Sequence, residues 1–363
     1  MGDYALARQA RFEHVYLASN NGAIGGGEVM LLRFAQTLRA IDVGVTVVAP
    51  GGSPVVEAAE EAGLETLGLF ARGRVAWMRA LRQWDRTRPA GLLWCNGLVP
   101  SVATAGRTER LVHLHQQPTG LHRVLAQTAR RGSVATLVPS SAMLDAVPEA
   151  QVLPNWTVPI RRAKPKRIDG AAIRIGFLGR LGIDKGVHVL AEAVRLLEER
   201  TPGRYRLVLG GEPLFVPESD LVIMEEALGP VARITHRAGW VDTADFFDTI
   251  DLLVVPSIIS ESFGLVAAEA MSAQVPLIVS DAGALPEVVG PAGHVVPAGD
   301  PEALAERIAA VASGEAPARR GALFDRWAAE YSPEAGTARL RTLVAELGIG
   351  SEAGTATSGR KAA

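Results

Sequence analysis

From Phe12 onward, continuous apolar runs alternate with segments whose apolar positions recur every three or four residues. FEHVYLA, VGVTVVA, GLLWC, RLVHLH and VATLVP read as strands, and EVMLLRFAQTLRA, between the first two, reads as an amphipathic helix. The rhythm stops after Pro154. Residues 157–172 hold Pro159 and Pro165 around the aperiodic basic run RRAKPKR, which reads as a solvated interdomain linker. The alternation then restarts with AIRIGFLG, YRLVLG, DLLVVP, PLIVS and GHVVP, again with helical segments between. Strands that are apolar throughout belong to sheets covered on both faces, so the pattern predicts two α/β, doubly wound, Rossmann-like domains. The expected boundaries are 12–156 for the first domain and 173–330 for the second. A last helical segment follows over 331–349, and 350–363 (GSEAGTATSGRKAA) has the composition of a disordered tail.

Composition narrows the class. With 48% hydrophobic and 21% charged residues over 363 positions, the chain is long and apolar enough for two cores. A formal net charge of −2 supplies no global field for nucleic acid, so no nucleic-acid partner is expected. The single cysteine, Cys95, excludes an internal disulfide and suits a reducing compartment. No signal-like apolar core opens the sequence and no uninterrupted apolar run approaches the length of a membrane span, so a cytoplasmic protein is expected.

In open α/β sheets ligands bind beyond the carboxyl ends of strands, where loops meet helix N-termini, and three such loops carry candidate chemistry. The first is SNNGAIGGGEVM, residues 19–30, whose Gly25, Gly26 and Gly27 allow backbone amides to approach phosphate or sugar oxygens. As a dinucleotide fingerprint it fails, because Met30 occupies the third glycine position, which disfavours a dehydrogenase. The second, GFLGRLGIDKGVHVL, puts Arg180 and Lys185 between a strand end and a helix start. Cations are disfavoured at that end of a helix dipole unless an anion neutralises them, which makes a diphosphate the candidate and a solvated turn the plain alternative. A Walker loop is ruled out because Gly186, and not Ser or Thr, follows Lys185.

The third loop leads into ESFGLVAAEAMSA, residues 261–273. The amides of Phe263, Gly264 and Leu265 fall at a helix start, where they lack intrahelical acceptors. Glu269 lies about 7.5 Å further along the axis, at 1.5 Å per residue. A nucleotide diphosphate at the helix start would set its ribose hydroxyls beside Glu269 and leave Glu261 facing the group beyond the phosphates. The alternative is that Glu269 pairs within the domain, since a carboxylate among apolar neighbours needs a partner.

Two further features are weaker. Residues 72–89, RGRVAWMRALRQWDRTRP, carry six arginines against one aspartate, with Trp77, Leu81 and Trp84 on one stripe. That stripe either packs on the sheet or makes peripheral contact with an anionic membrane. His113 and His115 share one face of a strand, but they have no clear third ligand, and no Asp-x-Asp pair occurs anywhere in the chain. No metal is therefore expected.

The runs GRLGIDKG, GW at 239–240, PSIISESFGLVAAEAMS, DAGALPEVV and VVPAGDPEALAERI together resemble the retaining, GT-B-fold glycosyltransferases of family 4. The most specific mark is the spacing of Glu261 and Glu269. GGGE at 25–28, HLH at 113–115, PSS at 139–141 and PN at 154–155 extend the resemblance over about residues 14 to 347, although Trp156 stands where the family usually has Gly. The resemblance implies that Arg180 and Lys185 bind the donor diphosphate, Glu269 the ribose and Glu261 the hydroxyls of the transferred sugar. Amides at Phe263, Gly264 and Leu265 would contact sugar and phosphate, and backbone near Gly210, Gly211 and Trp240 would meet the base. Gly25 and Gly26 match the first-domain loop that closes on the donor, and His115 matches the residue near the anomeric carbon. The family places its cleft between the domains and returns its last helix to the first.

The activity implied is transfer of a hexosyl group from GDP-mannose, UDP-glucose or UDP-N-acetylglucosamine to a hydroxyl acceptor. That acceptor is a cell-envelope glycan, a glycolipid or a small metabolite; configuration is retained, and neither metal nor cofactor takes part. A GT-B nucleotide-sugar epimerase shares the architecture but lacks the Glu-to-Glu pattern. A non-catalytic nucleotide-sugar binding module would bind donor without transferring sugar.

Overall fold

The computed structural model describes residues 11–162, 172–214, 216–317 and 319–350. The chain divides into two compact units. The first takes residues 11–139, 144–153 and 337–350, and the second takes 140–143 and 154–336.

The first unit is built on a parallel sheet of β1 (His14–Ala18), β2 (Gly44–Pro50), β3 (Glu65–Leu69), β4 (Leu92–Asn96), β5 (Arg110–His113), β6 (Ala135–Val138) and β7 (Gln151–Val152). Their order is β3-β2-β1-β4-β5-β6-β7. The second unit has β8 (Ile173–Leu178), β9 (Tyr205–Gly210), β10 (Thr235–Gly239), β11 (Leu252–Val255), β12 (Leu277–Ser280) and β13 (His294–Val296), ordered β10-β9-β8-β11-β12-β13. Both sheets wind outward from their first strand in two directions, so each has a switch point: between β1 and β4, and between β8 and β11. This is the doubly wound α/β architecture expected from the continuous apolar strands.

The strands missed by apolar continuity, β3, β7 and β10, all lie at sheet edges. Their residues are largely half-exposed or exposed, so the chain has no reason to make them apolar.

Of the two readings open for the stripe Trp77, Leu81 and Trp84, packing on the sheet is the one observed, and the solvated linker needs correction in part. The stripe on the helix Arg74–Asp85 faces inward: Trp77 and Leu81 are buried against Tyr16, Leu93 and Ala103, and Trp84 is partly buried beside them. Hydrophobic period identifies the apolar face of a helix but not what covers it. The described part of the linker is solvated only in places: Val158, Pro159 and Arg161 are exposed, and Thr157 and Arg162 are tied to the second unit. The Thr157 amide donates to the Tyr331 carbonyl, the Thr157 hydroxyl accepts from the Trp327 indole, and the largely buried Arg162 side chain donates to the Ile250 carbonyl. Residues 163–171 and the tail from 351 lie outside the described residues. The Trp156 ring lies against Gly336, where a β-carbon would come within 2.2 Å of the ring. The large residue at 156 is therefore matched by an absent side chain at 336.

The last described residues belong to the first unit. After the helix Pro333–Leu347, Ile349 bridges to Phe12, and the Gly350 amide donates to the Phe12 carbonyl. Among the described residues no helix is long and apolar enough to cross a membrane.

Candidate functional site

In the second unit, the loops that leave β8 and β11 meet at the switch point and are locked together. The Asp184 carbonyl accepts from the amides of both Ile258 and Ile259, at 2.9 and 3.2 Å. Gly186, at φ +75°, caps the helix Val187–Arg200 and lies so close to the second loop that a β-carbon would sit 1.9 Å from the Pro256 carbonyl oxygen. Across this seam Lys185 Nζ donates to Glu261 Oε1 at 2.7 Å, and the Ser257 hydroxyl donates to the same oxygen at 2.5 Å. A third loop, after β12, joins them. The Ser280 hydroxyl donates to the Ser257 carbonyl, Glu261 bridges to Gly283, and the Ala284 amide donates to the Glu261 carbonyl.

Arg180 pairs with Asp184, one turn further along the same loop. Arg180 and Lys185 thus each have a carboxylate partner within the chain, Asp184 and Glu261. Each cation stays partly exposed, and an ammonium with three donors that gives one to Glu261 keeps two for another acceptor.

Gly264, at φ +94°, is the N-cap of the helix Leu265–Ser272, so the amides from Phe263 onward fall at its start. The Phe263 ring is buried edge-on against Tyr331, 5.3 Å between centroids, and only its backbone remains to serve a ligand. Glu269 is half-buried in the second turn and is not without a partner in the chain. Trp240, just past edge strand β10, is 76% exposed, and no bond ties it to the Lys185–Glu261 pair.

In the first unit, the loop after β1 is held by Glu28, a residue the sequence reading did not assign. Its buried carboxylate accepts from the Ser19 hydroxyl at 3.0 Å and from the Gly25 amide at 3.2 Å. The signal was present, since a Glu three residues after a helix N-cap reaches back to the N-cap amide. Gly25 is that N-cap, and Gly26 begins the helix that runs to Ala40.

Asn96, at the end of β4, was also missed. It donates through Nδ2 to the Gly27 carbonyl at 3.1 Å, which leaves Oδ1 to accept from His115 Nε2 at 2.6 Å. With the proton on Nε2, His115 keeps its lone pair on Nδ1. No short-range spacing announces this contact, because its partners lie 69 and 19 residues away.

The His115 ring packs at a 40° tilt against the fully buried His113, with centroids 4.1 Å apart. Burial holds His113 well below the ordinary imidazole range and brings His115 down from 6.5 to about 4. Both rings are therefore neutral at pH 7. Below pH 6.5 the unfolded chain takes up protons that the folded rings refuse, so stability falls with pH. The His115 contribution is lost between 6.5 and 4 and then levels off. Urea unfolding is expected to show a loss of up to about 3 kcal/mol over that window, shallower in His115→Gln; a pH-independent midpoint would contradict it.

Among the described residues, no three His, Cys, Asp or Glu side chains are grouped to hold a metal ion.

The family described as Glycosyl transferases group 1 matches residues 172–313, the part that contains the Lys185–Glu261 seam. A D-inositol 3-phosphate glycosyltransferase of Streptomyces scabiei is 37% identical over 157 residues, 40% of this chain and 35% of that one. A phosphatidyl-myo-inositol mannosyltransferase of Mycobacterium leprae is 34% identical over 141 residues, 37% of this chain and 36% of that one. The chain thus spans well under half the length of these curated relatives. Among solved structures, Anabaena Alr3699/HepE in complex with UDP-glucose superposes with a TM-score of 0.79 at 18% identity, covering 92% of this chain and all of that one. Sucrose-phosphate synthase from Thermosynechococcus elongatus gives 0.77 at 18% identity, covering 92% and 99%. The chain has the GT-B fold, and residues 172–313 of its second unit match the family described as Glycosyl transferases group 1.

Proposed function

We propose that this protein is a retaining glycosyltransferase that moves a hexosyl group from a nucleotide diphosphate sugar to a hydroxyl acceptor. The observation that carries the reading is the Lys185–Glu261 pair, which joins a cation and a carboxylate across the switch point of the second sheet, beside the free amides of a helix start. The cation and the amides suit a diphosphate, and the carboxylate suits sugar hydroxyls.

In this reading Lys185 and Arg180 meet the diphosphate, the amides of Phe263, Gly264 and Leu265 contact its oxygens, and Glu269 holds the ribose. Trp240 lies towards the base. Gly25, Gly26 and His115 are the first unit's share of the reading, and they rest on the resemblance. As the bond from sugar to phosphate breaks, negative charge grows on the leaving oxygen, and donors already fixed around it stabilise that charge without reorganising. The departing phosphate then accepts the proton of the incoming hydroxyl on the same face of the sugar. No separate general base is needed, and neither metal nor cofactor enters the reading.

The names of the relatives, acting on inositol phosphate and phosphatidylinositol, direct the acceptor search to polyols, envelope glycans and glycolipids.

The test is thermal denaturation with UDP-glucose, GDP-mannose and UDP-N-acetylglucosamine, followed by transfer assays with the nucleotide that stabilises. One nucleotide sugar should raise the melting temperature by mass action, and Glu269→Ala should remove the shift. The product anomer should match the donor, and chelators should not slow transfer. The reading fails if no nucleotide stabilises the chain. Binding without transfer or slow hydrolysis of the sugar would make the protein a binding module instead.

A further inference from the structure

The second unit carries a cavity that none of this chemistry uses, at the amino ends of β8, β9 and β10. Its volume is about 400 Å³, and Arg174, Arg206, Arg233 and His236 line it together with Val208. That volume is in the range of small-molecule sites. The donor loops leave the opposite, carboxyl ends of these strands. Arg174 lies four residues before the end of β8, about 13 Å away at 3.3 Å per residue.

Strand register puts these groups on one face of the sheet. Arg174 is the partner of Arg206, and Val208 is the partner of His236. Side chains alternate along a strand, so Arg206 and Val208 share a face and bring Arg174 and His236 onto it. The other face is occupied, because Ile173, Ile175, Tyr205 and Leu207 pack with the helix Val187–Arg200. On the cavity face, Val208 packs with Phe246 and Phe247 of the short helix Thr243–Thr249. That cover stops short of Arg206 and His236, which are exposed. Arg233 comes from the turn Gly229–Ile234 that leads into β10.

Positive charge gathers here without enough carboxylate to balance it. Arg174 and Arg206 are like charges directly opposite on neighbouring strands, an arrangement that costs stability unless something neutralises it. Asp251 neutralises the first, accepting from Arg174 Nε at 2.9 Å and from Nη2 at 2.7 Å. This two-point pair fixes the guanidinium and leaves three of its five N–H groups for another acceptor. Among the described residues, Arg206 donates only to the Gly203 and Tyr205 carbonyls, and Arg233 has no ion-pair partner. The neighbouring acids are taken: Asp248 by Arg162, and Glu225 by Arg237 on the other face of β10.

Arginines gathered around a cavity with an apolar floor match a phosphate group. Guanidinium N–H groups bind its oxygens two at a time, an imidazole adds a further hydrogen-bonding group, and the floor accepts carbon atoms attached to it. We propose that this cavity binds a phosphate group, as the free ion or as the monoester of a small metabolite, apart from the donor. Arg206 and Arg233 hold the phosphate oxygens, and Asp251 positions Arg174 to join them.

The test is isothermal titration of the full chain, without nucleotide, with inorganic phosphate, ribose 5-phosphate and ribose. At least one of the two phosphates should bind, and ribose should not. Tighter binding of ribose 5-phosphate identifies a monoester site, and equal or tighter binding of inorganic phosphate identifies the free ion. Arg206→Ala/Arg233→Ala should weaken binding by about tenfold or more. Lys185→Ala, in the donor loops, and Arg237→Ala, on the other face of β10, should leave it unchanged. Arg206 and Arg233 are exposed, so the melting temperature of their double variant should match that of the unaltered chain. Binding of neither phosphate, full binding by Arg206→Ala/Arg233→Ala, loss in Lys185→Ala, or an equal loss in Arg237→Ala would overturn the proposal. Neither the cavity nor this readout depends on the transferase reading, so each can fail without the other.

Discussion

Lys185→Ala is expected to lower kcat for sugar transfer by about 10²–10³-fold, with a smaller change in the KM for donor. Removing one preorganised donor to a developing oxyanion typically costs about 3–4 kcal/mol. The ammonium sits 2.7 Å from Glu261 Oε1, so its loss also leaves that carboxylate with Ser257 alone. A bracing role and a catalytic role separate in the double variant. If Lys185 only neutralises Glu261, then Lys185→Ala/Glu261→Gln should recover transfer, because the unpaired charge has gone. If Lys185 stabilises the leaving diphosphate, the double variant stays as slow as the single one. Steady-state kinetics on the three proteins, with melting temperatures to confirm folding, decide between them, and a Lys185→Ala enzyme of wild-type kcat would refute the catalytic role.

The largest effect on stability is expected from Gly186→Ala. At φ +75° an L-residue pays about 1–2 kcal/mol, and forcing atoms into filled space adds about 1–3. Here the obstacle is a backbone carbonyl 1.9 Å from the new β-carbon, so no side-chain rotation can relieve it. A total loss of about 2–5 kcal/mol follows, together with displacement of the Pro256–Ser257 loop and loss of nucleotide-induced stabilisation. Gly203→Ala is the control. Its φ is +77°, yet nothing lies within 4 Å of the added carbon, so only the backbone part of the cost should remain. Equal destabilisation of the two variants in urea would show that the loop-to-loop contact contributes nothing.

What the sequence discloses, and what it conceals, follows from burial and distance along the chain. Central strands such as LLWCN and YRLVLG are covered on both faces and declare themselves as unbroken apolar runs. The edge strands ETLGL and THRAG are half-wet and read as loops. The candidate donor site was legible where its members are close in sequence, as with Glu261, Gly264 and Glu269. Cross-loop partners were hidden: Asp184 for Ile258, Gly283 for Glu261 and Asn96 for His115 are joined only when separate strands align. The counter-charge of Lys185 is hidden in the same way, because Glu261 lies 76 residues further along the chain.

The lone thiol has a practical consequence. Cys95 is fully buried in β4 beside Thr104, and burial pushes its pKa up, so it offers labelling reagents neither access nor thiolate. A cysteine introduced at one exposed position in each half of the molecule would therefore be the sole reactive handle there. Spin or fluorophore pairs could be attached to the otherwise native chain, and distances followed while nucleotide sugar is added.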